Sequence, residues 1–94
     1  MNYLAIHFRV EDFSRWRSMF DQGHALRKNS GSKGARILRS ADDPNGLMVI
    51  MEWDSLDRAR QFAQSAELRE AMQKAGVIGR PEVSFLNLVE DLDA

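Results

Sequence analysis

The segment Leu47-Met48-Val49-Ile50-Met51 constrains the fold more than any other part of this chain, because it places five apolar residues in a row. A strand that is covered on one side only should alternate apolar and polar residues, and this one does not. The segment 82–89 comes close to the same pattern, with apolar residues at positions of both parities. The few helices that 94 residues can supply cover one face of a sheet. We therefore expect a second copy of the chain to cover the other face, as a homodimer.

Composition bounds the class of protein. The length fits one domain over residues 1–94. A net charge of -1 lacks the basic excess that non-specific binding to nucleic acid or anionic membranes requires, so we expect neither partner. The chain has no cysteine, which excludes disulfides, thiolate nucleophiles and cysteine metal ligands. No leader-like or membrane-length apolar segment is present, and this predicts a cytoplasmic protein.

The remaining periodicities predict an α+β chain of the ferredoxin-like βαββαβ plan, with a four-stranded antiparallel sheet in the strand order 4-1-3-2. Asp12 is the predicted N-cap of the first helix, and either Asp54 or Ser55 is that of the second. The apolar residues of the second helical region fall on two different arcs, so we predict a break near Ser65. The predicted elements are strand 3–10, helix 12–28, strand 35–40, strand 47–53, helices between 54 and 76, and strand 82–89.

Several functional classes share this plan, and three of them lack their motifs here. Strand 47–53 does not carry the basic aromatic signature of RNA-recognition motifs. Metallochaperones of this plan need a Cys-x-x-Cys, and acylphosphatases need a glycine-rich loop with an arginine where this chain has Glu11-Asp12.

The chain resembles the dimeric α/β-barrel superfamily, which includes antibiotic-biosynthesis-monooxygenase-like proteins and small polyketide cyclases. The segments that carry the resemblance are 10–16, 20–24, 38–45, 52–62 and 67–72. It implies that two sheets pack back to back as a barrel with the helices outside, and that each subunit has a pocket between sheet and helices. Haem-degrading members use a histidine on the second helix; residues 55–75 contain none. We therefore expect no haem and no other cofactor.

His24 is the first candidate for a catalytic residue. It follows Phe20 by one helical turn, on the side of the first helix that should face the pocket. A neutral imidazole beside aromatic walls can abstract a phenolic or enolic proton near neutral pH. The alternative is a structural histidine that caps the apolar face or bonds a backbone carbonyl.

Five further residues are candidates for substrate binding. Trp16, Phe20 and Trp53 are predicted to wall a pocket for a planar aromatic ligand, although large aromatics at such spacing also build cores. Arg27 is a candidate anchor for an anionic group, or it extends to solvent. Tyr3 either donates a hydrogen bond to the ligand or lines the barrel end.

His7 lies on the face of the first strand opposite Ile6 and Phe8, so we predict that it belongs to the dimer interface. Glu52 and Asp54 point the same way at the end of the third strand. Two histidines on different elements and two surface carboxylates do not form a recognisable metal motif, and we expect no metal.

Two main functions follow from these residues. The first is a cofactor-independent monooxygenase or cyclase that acts on a small aromatic or polyketide-like substrate, with His24 as base. The second is a non-catalytic module on the same dimer that binds a small molecule or serves assembly. An enzyme should place at least two polar groups beside the apolar wall, and this is the feature that separates the two. A regulatory amino-acid-binding domain is a third possibility.

Overall fold

The computed structural model describes all 94 residues as four strands and four helices. In chain order the elements are β1 (Asn2–Val10), α1 (Phe13–Gln22), α2 (His24–Ser30), β2 (Ser32–Arg39), β3 (Gly46–Trp53), α3 (Leu56–Ala63), α4 (Ala66–Lys74) and β4 (Val77–Asn87). The strands form one antiparallel sheet in the order β2-β3-β1-β4. The predicted ferredoxin-like fold is confirmed. None of the helices is long and apolar enough to cross a membrane.

The first helical region is two helices, where the sequence predicts one. The Asp12 side chain caps α1 as predicted, accepting a hydrogen bond from the Ser14 amide at 2.9 Å. The helix stops at Gly23, whose amide turns back to the carbonyls of Met19 and Phe20. Glycine favours such an interruption because its backbone loses the most freedom on entering a helix.

The second helical region breaks where the sequence predicts. The Ser65 hydroxyl accepts a hydrogen bond from the Leu68 amide and caps α4. Ser55 caps α3 in the same way through the Arg58 amide. These two local caps give α3 and α4 different directions, so both apolar arcs can face the sheet.

Strand β4 begins at Val77, five residues earlier than predicted, and ends at Asn87, two residues earlier. Gly79 and Pro81 suggest a loop in the sequence, but β4 is an edge strand, where proline can leave its missing N–H on the open side. The pairing of β1 with β4 also shifts register between His7 and Arg9. This irregularity accommodates the early start.

The two faces of the sheet differ sharply in burial. The inner face, towards the helices, forms the core; its β1 and β3 residues are Leu4, Ile6, Phe8, Val10, Leu47, Val49, Met51 and Trp53. The opposite side, which we call the outer face, has no helix on it. Its apolar residues are Ala5, Leu38, Met48, Ile50 and Leu86, with His7, Arg9, Arg36 and Glu52 among them. Alternate residues of the apolar run of β3 therefore lie on the covered inner face and on the open outer face.

Candidate functional site

A small cavity lies between the inner face and the helices. Its volume is about 80 Å³, and the sheet contributes Ile6, Phe8, Val49 and Met51 to its wall. Every lining side chain is apolar or aromatic except that of Arg27. An apolar cavity with one charged group at its edge is the arrangement expected of a small-molecule site.

An aromatic cluster forms one wall. Trp16 and Phe20 stand one turn apart on α1, and their rings stack with centroids 5.1 Å apart. Phe8 from the central strand packs on the other side of Trp16 at 5.5 Å. Offset and tilted contacts at these distances stabilise aromatic groups beyond simple burial. A planar ligand ring would extend this cluster.

Methionines make the lining of the cavity adaptable. Met19 of α1 and Met72 of α4 are half-buried and line the cavity, with Met51 beneath them. A cavity of roughly 150 Å³ is known to accept benzene, so a ring enters this smaller space only if side chains move. Methionine has three rotatable bonds and changes shape readily. Rotation of Met19 and Met72 is the simplest way to admit a ligand.

Arg27 lies at the mouth of the cavity. Its Nη1 donates a hydrogen bond to the Phe20 carbonyl at 2.6 Å, and its Cζ lies 3.6 Å from the centre of the Phe20 ring. A Cβ at position 23 would lie 3.0 Å from Nη1, so glycine there gives the guanidinium room. Burial lowers the pKa of Arg27; Asp21 opposes and Arg17 adds to this effect. No carboxylate is within 4.0 Å of the guanidinium.

A second hollow adjoins the mouth, and we call it the basic concavity. It lies between α2 and the start of β2, has a volume of about 430 Å³, and is lined by His24, Arg27, Lys28, Ser32, Lys33, Gly34 and Ala35. Arg27 belongs to the walls of both the cavity and the concavity.

The structure brings His24 to the concavity and not into the cavity. His24 is the first residue of α2, is exposed, and makes no side-chain hydrogen bond. The expected position beside Phe20 is wrong because the chain breaks at Gly23, so the two residues no longer share one helix face. The role of His24 as a base stays a prediction.

Three of the five predicted binding residues come together around the cavity: Trp16, Phe20 and Arg27. Trp53 does not join them. It is 2% exposed and packs on Phe62 with ring centroids 5.0 Å apart, and its Nε1 is buried without a partner. Trp53 is therefore a core residue in this structure.

Tyr3 lies on the outer face, opposite Glu52, with its hydroxyl 3.7 Å from the Met1 sulfur. Its part in ligand binding or at the barrel end stays a prediction. His7 is also on the outer face, with Nδ1 4.0 Å from a carboxylate oxygen of Glu82. Its part in an interface stays a prediction. No group of three or more histidine, aspartate or glutamate side chains could hold a metal ion.

Sequence reasoning did not assign the helix α4 side of the cavity. Leu68, Ala71 and Met72 line it. The signal was present, because these residues form the separate apolar arc that predicts the break at Ser65.

The fold and the cavity define a ferredoxin-like subunit with an aromatic-walled pocket between its sheet and helices. The sequence profile described as antibiotic biosynthesis monooxygenase matches residues 3–74, and the chain belongs to this family, within the dimeric α/β-barrel superfamily. Proteins of the family are typically dimeric. No protein of curated function matches the chain.

Solved structures share the fold at low sequence identity. A Bordetella bronchiseptica protein classed with the antibiotic biosynthesis monooxygenases is 19% identical, with a TM-score of 0.79 over 95% of this chain and 97% of that one. SnoaB of Streptomyces nogalater, a cofactor-independent oxygenase, is 18% identical, with a TM-score of 0.77 over 99% and 97%. A Caulobacter crescentus protein of the same class is 17% identical, with a TM-score of 0.73 over 95% and 90%. At these identities the likeness establishes the fold.

Proposed function

We propose that this protein is a cofactor-independent monooxygenase or cyclase, acting on a small aromatic or polyketide-like substrate in the cavity between sheet and helices. The observation that carries the proposal is the apolar, aromatic-walled cavity with one cation at its mouth. Family membership supports it, as does the shared fold with SnoaB, itself a cofactor-independent oxygenase.

The chemistry needs a substrate that supplies its own electrons. Removing a proton from the methylene group of an anthrone gives an electron-rich anion that can reduce dioxygen. One oxygen atom then becomes the carbonyl oxygen of the product, and the other leaves as water with the two methylene hydrogens. The four electrons taken from the carbon balance the four that dioxygen accepts.

The residues at the site have distinct parts in this proposal. Trp16 and Phe20 stack on the ring, and Arg27 stabilises negative charge as it develops, since a nearby cation favours the ionised form. His24 takes the proton from the part of the substrate that extends into the basic concavity. Apolar walls keep bulk water away from the anion.

The small number of polar groups in the cavity favours a second candidate function, a module that binds a small molecule without turning it over. Arg27 is the only charged residue in the lining, and its pKa is too high for acid or base work near neutral pH. This candidate predicts saturable binding of an aromatic ligand with no product.

We also propose that the protein forms a homodimer through the outer face. Two of its apolar residues are about half-exposed in a single chain, Leu38 at 50% and Leu86 at 46%. A second copy would remove them from water, and this burial would stabilise the dimer by about 25 cal/mol per Å² of apolar area.

The test is oxygen uptake with an anthrone, corrected for spontaneous oxidation in buffer. Ala71→Trp should block the cavity and abolish catalysed uptake, because Ala71 lines it while remaining exposed enough for the fold to tolerate the ring. Ala66→Trp, on the same helix but outside the lining, is the matched control and should keep full activity. Binding without uptake in the wild type would instead establish the non-catalytic module.

His24→Ala tests the proposed base without altering the cavity. Because His24 is exposed and makes no side-chain hydrogen bond, its removal should leave Tm within about 1 °C. The expected fall in turnover is roughly 10²- to 10⁴-fold, the usual contribution of a general base. Unchanged turnover would remove His24 from the mechanism while leaving the cavity in place.

A further inference from the structure

Arg27 joins two surfaces of opposite character. On one side is the apolar cavity, and on the other is the basic concavity, which His24, Lys28 and Lys33 line together with Arg27. No acidic residue lines either hollow. This local excess of positive charge stands out in a chain whose net charge is -1. A ligand that fits both hollows has an apolar part and an anionic part.

Burial sets Arg27 apart, because the nine other arginines are all exposed. Arg9, Arg15, Arg17 and Arg58 each have a carboxylate within ion-pair distance, from Asp43, Glu11, Asp21 and Asp54 respectively. Arg27 has none, although it is half-buried. A partly desolvated cation without a counter-ion is unfavourable, and a ligand anion would relieve this.

The guanidinium also has donors to spare. It carries five N–H groups, and one of its nitrogens donates to the Phe20 carbonyl. Its Cζ lies over the Phe20 ring, 3.6 Å from the ring centre, and this contact and the bond to the Phe20 carbonyl hold the group in place. A guanidinium held in place with free N–H groups suits bidentate binding of a carboxylate.

We propose that the ligand is an aromatic acid. Its ring occupies the cavity against Trp16 and Phe20, and its carboxylate binds Arg27 and projects into the basic concavity. The inference rests on the proposed function for the position of the ring, and adds a permanent acidic substituent to the substrate class.

The test compares two probes of the same shape, 2-naphthoate and 2-naphthamide, by isothermal titration calorimetry. The wild type should bind the carboxylate at least tenfold more tightly than the amide, and rising salt should reduce the difference. Arg27→Gln should abolish the preference while leaving the affinity for the amide within about twofold. Arg27→Lys should keep part of the preference, because lysine retains the positive charge but lacks the paired N–H donors of a guanidinium.

Arg17→Gln is the matched control. Arg17 also lies near the Phe20 ring, with Cζ 5.9 Å from its centre, but it pairs with Asp21 and lines neither hollow. Its removal should leave the preference unchanged. Circular dichroism of each variant checks that the fold is intact.

Each contrary result has its own meaning. Equal affinity for the two probes, or a preference that survives in Arg27→Gln, would overturn the aromatic-acid inference and leave the cavity proposal standing. Carboxylate binding that Ala71→Trp does not weaken would place the anion on the surface alone, and would also overturn it. Binding of neither probe would remove the ligand cavity and this inference together.

Discussion

The two faces of the sheet have similar apolar strands and different surroundings. On the inner face, Leu47 and Val49 are 1% and 2% exposed beneath the helices. On the outer face, Met48 and Ile50 come from the same strand and are only partly buried. One run of residues thus lies under the helices of its own chain at alternate positions, and at the others it lies on the face that we propose a second copy covers. The comparison teaches that a strand without apolar and polar alternation predicts a second partner for the sheet.

The faces also differ in where they leave space. The inner face has a cavity because α2 and α4 are short helices with no fully buried residue. These helices cover the sheet without filling every gap. In the proposed dimer a second copy covers the outer face, so the contribution of that face to stability would depend on protein concentration.

The largest expected difference between the faces is in stability. Leu47→Ala should lower the free energy of unfolding by about 2–5 kcal/mol, the usual cost of truncating a fully buried leucine. Leu38→Ala, on the outer face and 50% exposed in the single chain, should cost about 1 kcal/mol or less when measured below the dimer dissociation constant. Urea denaturation of the pair measures both values. Equal losses would mean that the two faces are equally covered.

Dimer formation should be sensitive to substitutions on the outer face. Ile50→Arg places a charge in the middle of the outer face, and we expect the dimer dissociation constant to rise at least 100-fold, about 2.7 kcal/mol. Sedimentation velocity at micromolar concentration should show the wild type at twice the 10.7 kDa chain mass and the variant at one. Leu92→Arg, in the exposed tail, is the control. A wild type that is monomeric with an intact fold would refute the pairing.

The sequence predicts the fold almost completely, because its signals are local. Alternation, Asp12 and Ser65 specify strands and caps through contacts a few residues apart. The site is less predictable because it depends on directions between elements. The break at Gly23 separates α2 from α1 and leaves His24 outside the cavity. A helical wheel cannot predict this, because it assumes one continuous helix. Trp53 packs in the core and not at the cavity for a related reason: its depth depends on Phe62 from another element.

The smallest predicted effect concerns the edge of the outer face. The Asp43 carboxylate accepts a hydrogen bond from Arg9 Nε at 2.9 Å and one from the Asn45 amide, and these lower its pKa below the usual range. A carboxyl group with a depressed pKa contributes stability above its unfolded pKa, and this is lost as the pH falls through the folded value. Arg9→Gln should raise the pKa of Asp43 in a carbon-13 NMR titration.

Arg39→Gln should leave that titration unchanged, since Arg39 lies over the Phe13 ring and makes no bond to Asp43. An unchanged midpoint in Arg9→Gln would mean that the backbone amide alone holds the carboxylate.

Methionine methyl groups report on both faces in one experiment. Met19, Met51 and Met72 line the cavity, whereas Met48 lies on the outer face. In protein labelled with methyl carbon-13 methionine and titrated with 2-naphthoate, we expect the three cavity signals to shift together with one dissociation constant while Met48 stays fixed. Movement of Met48 with the cavity signals unchanged would place the ligand on the outer face and contradict the division of roles between the faces.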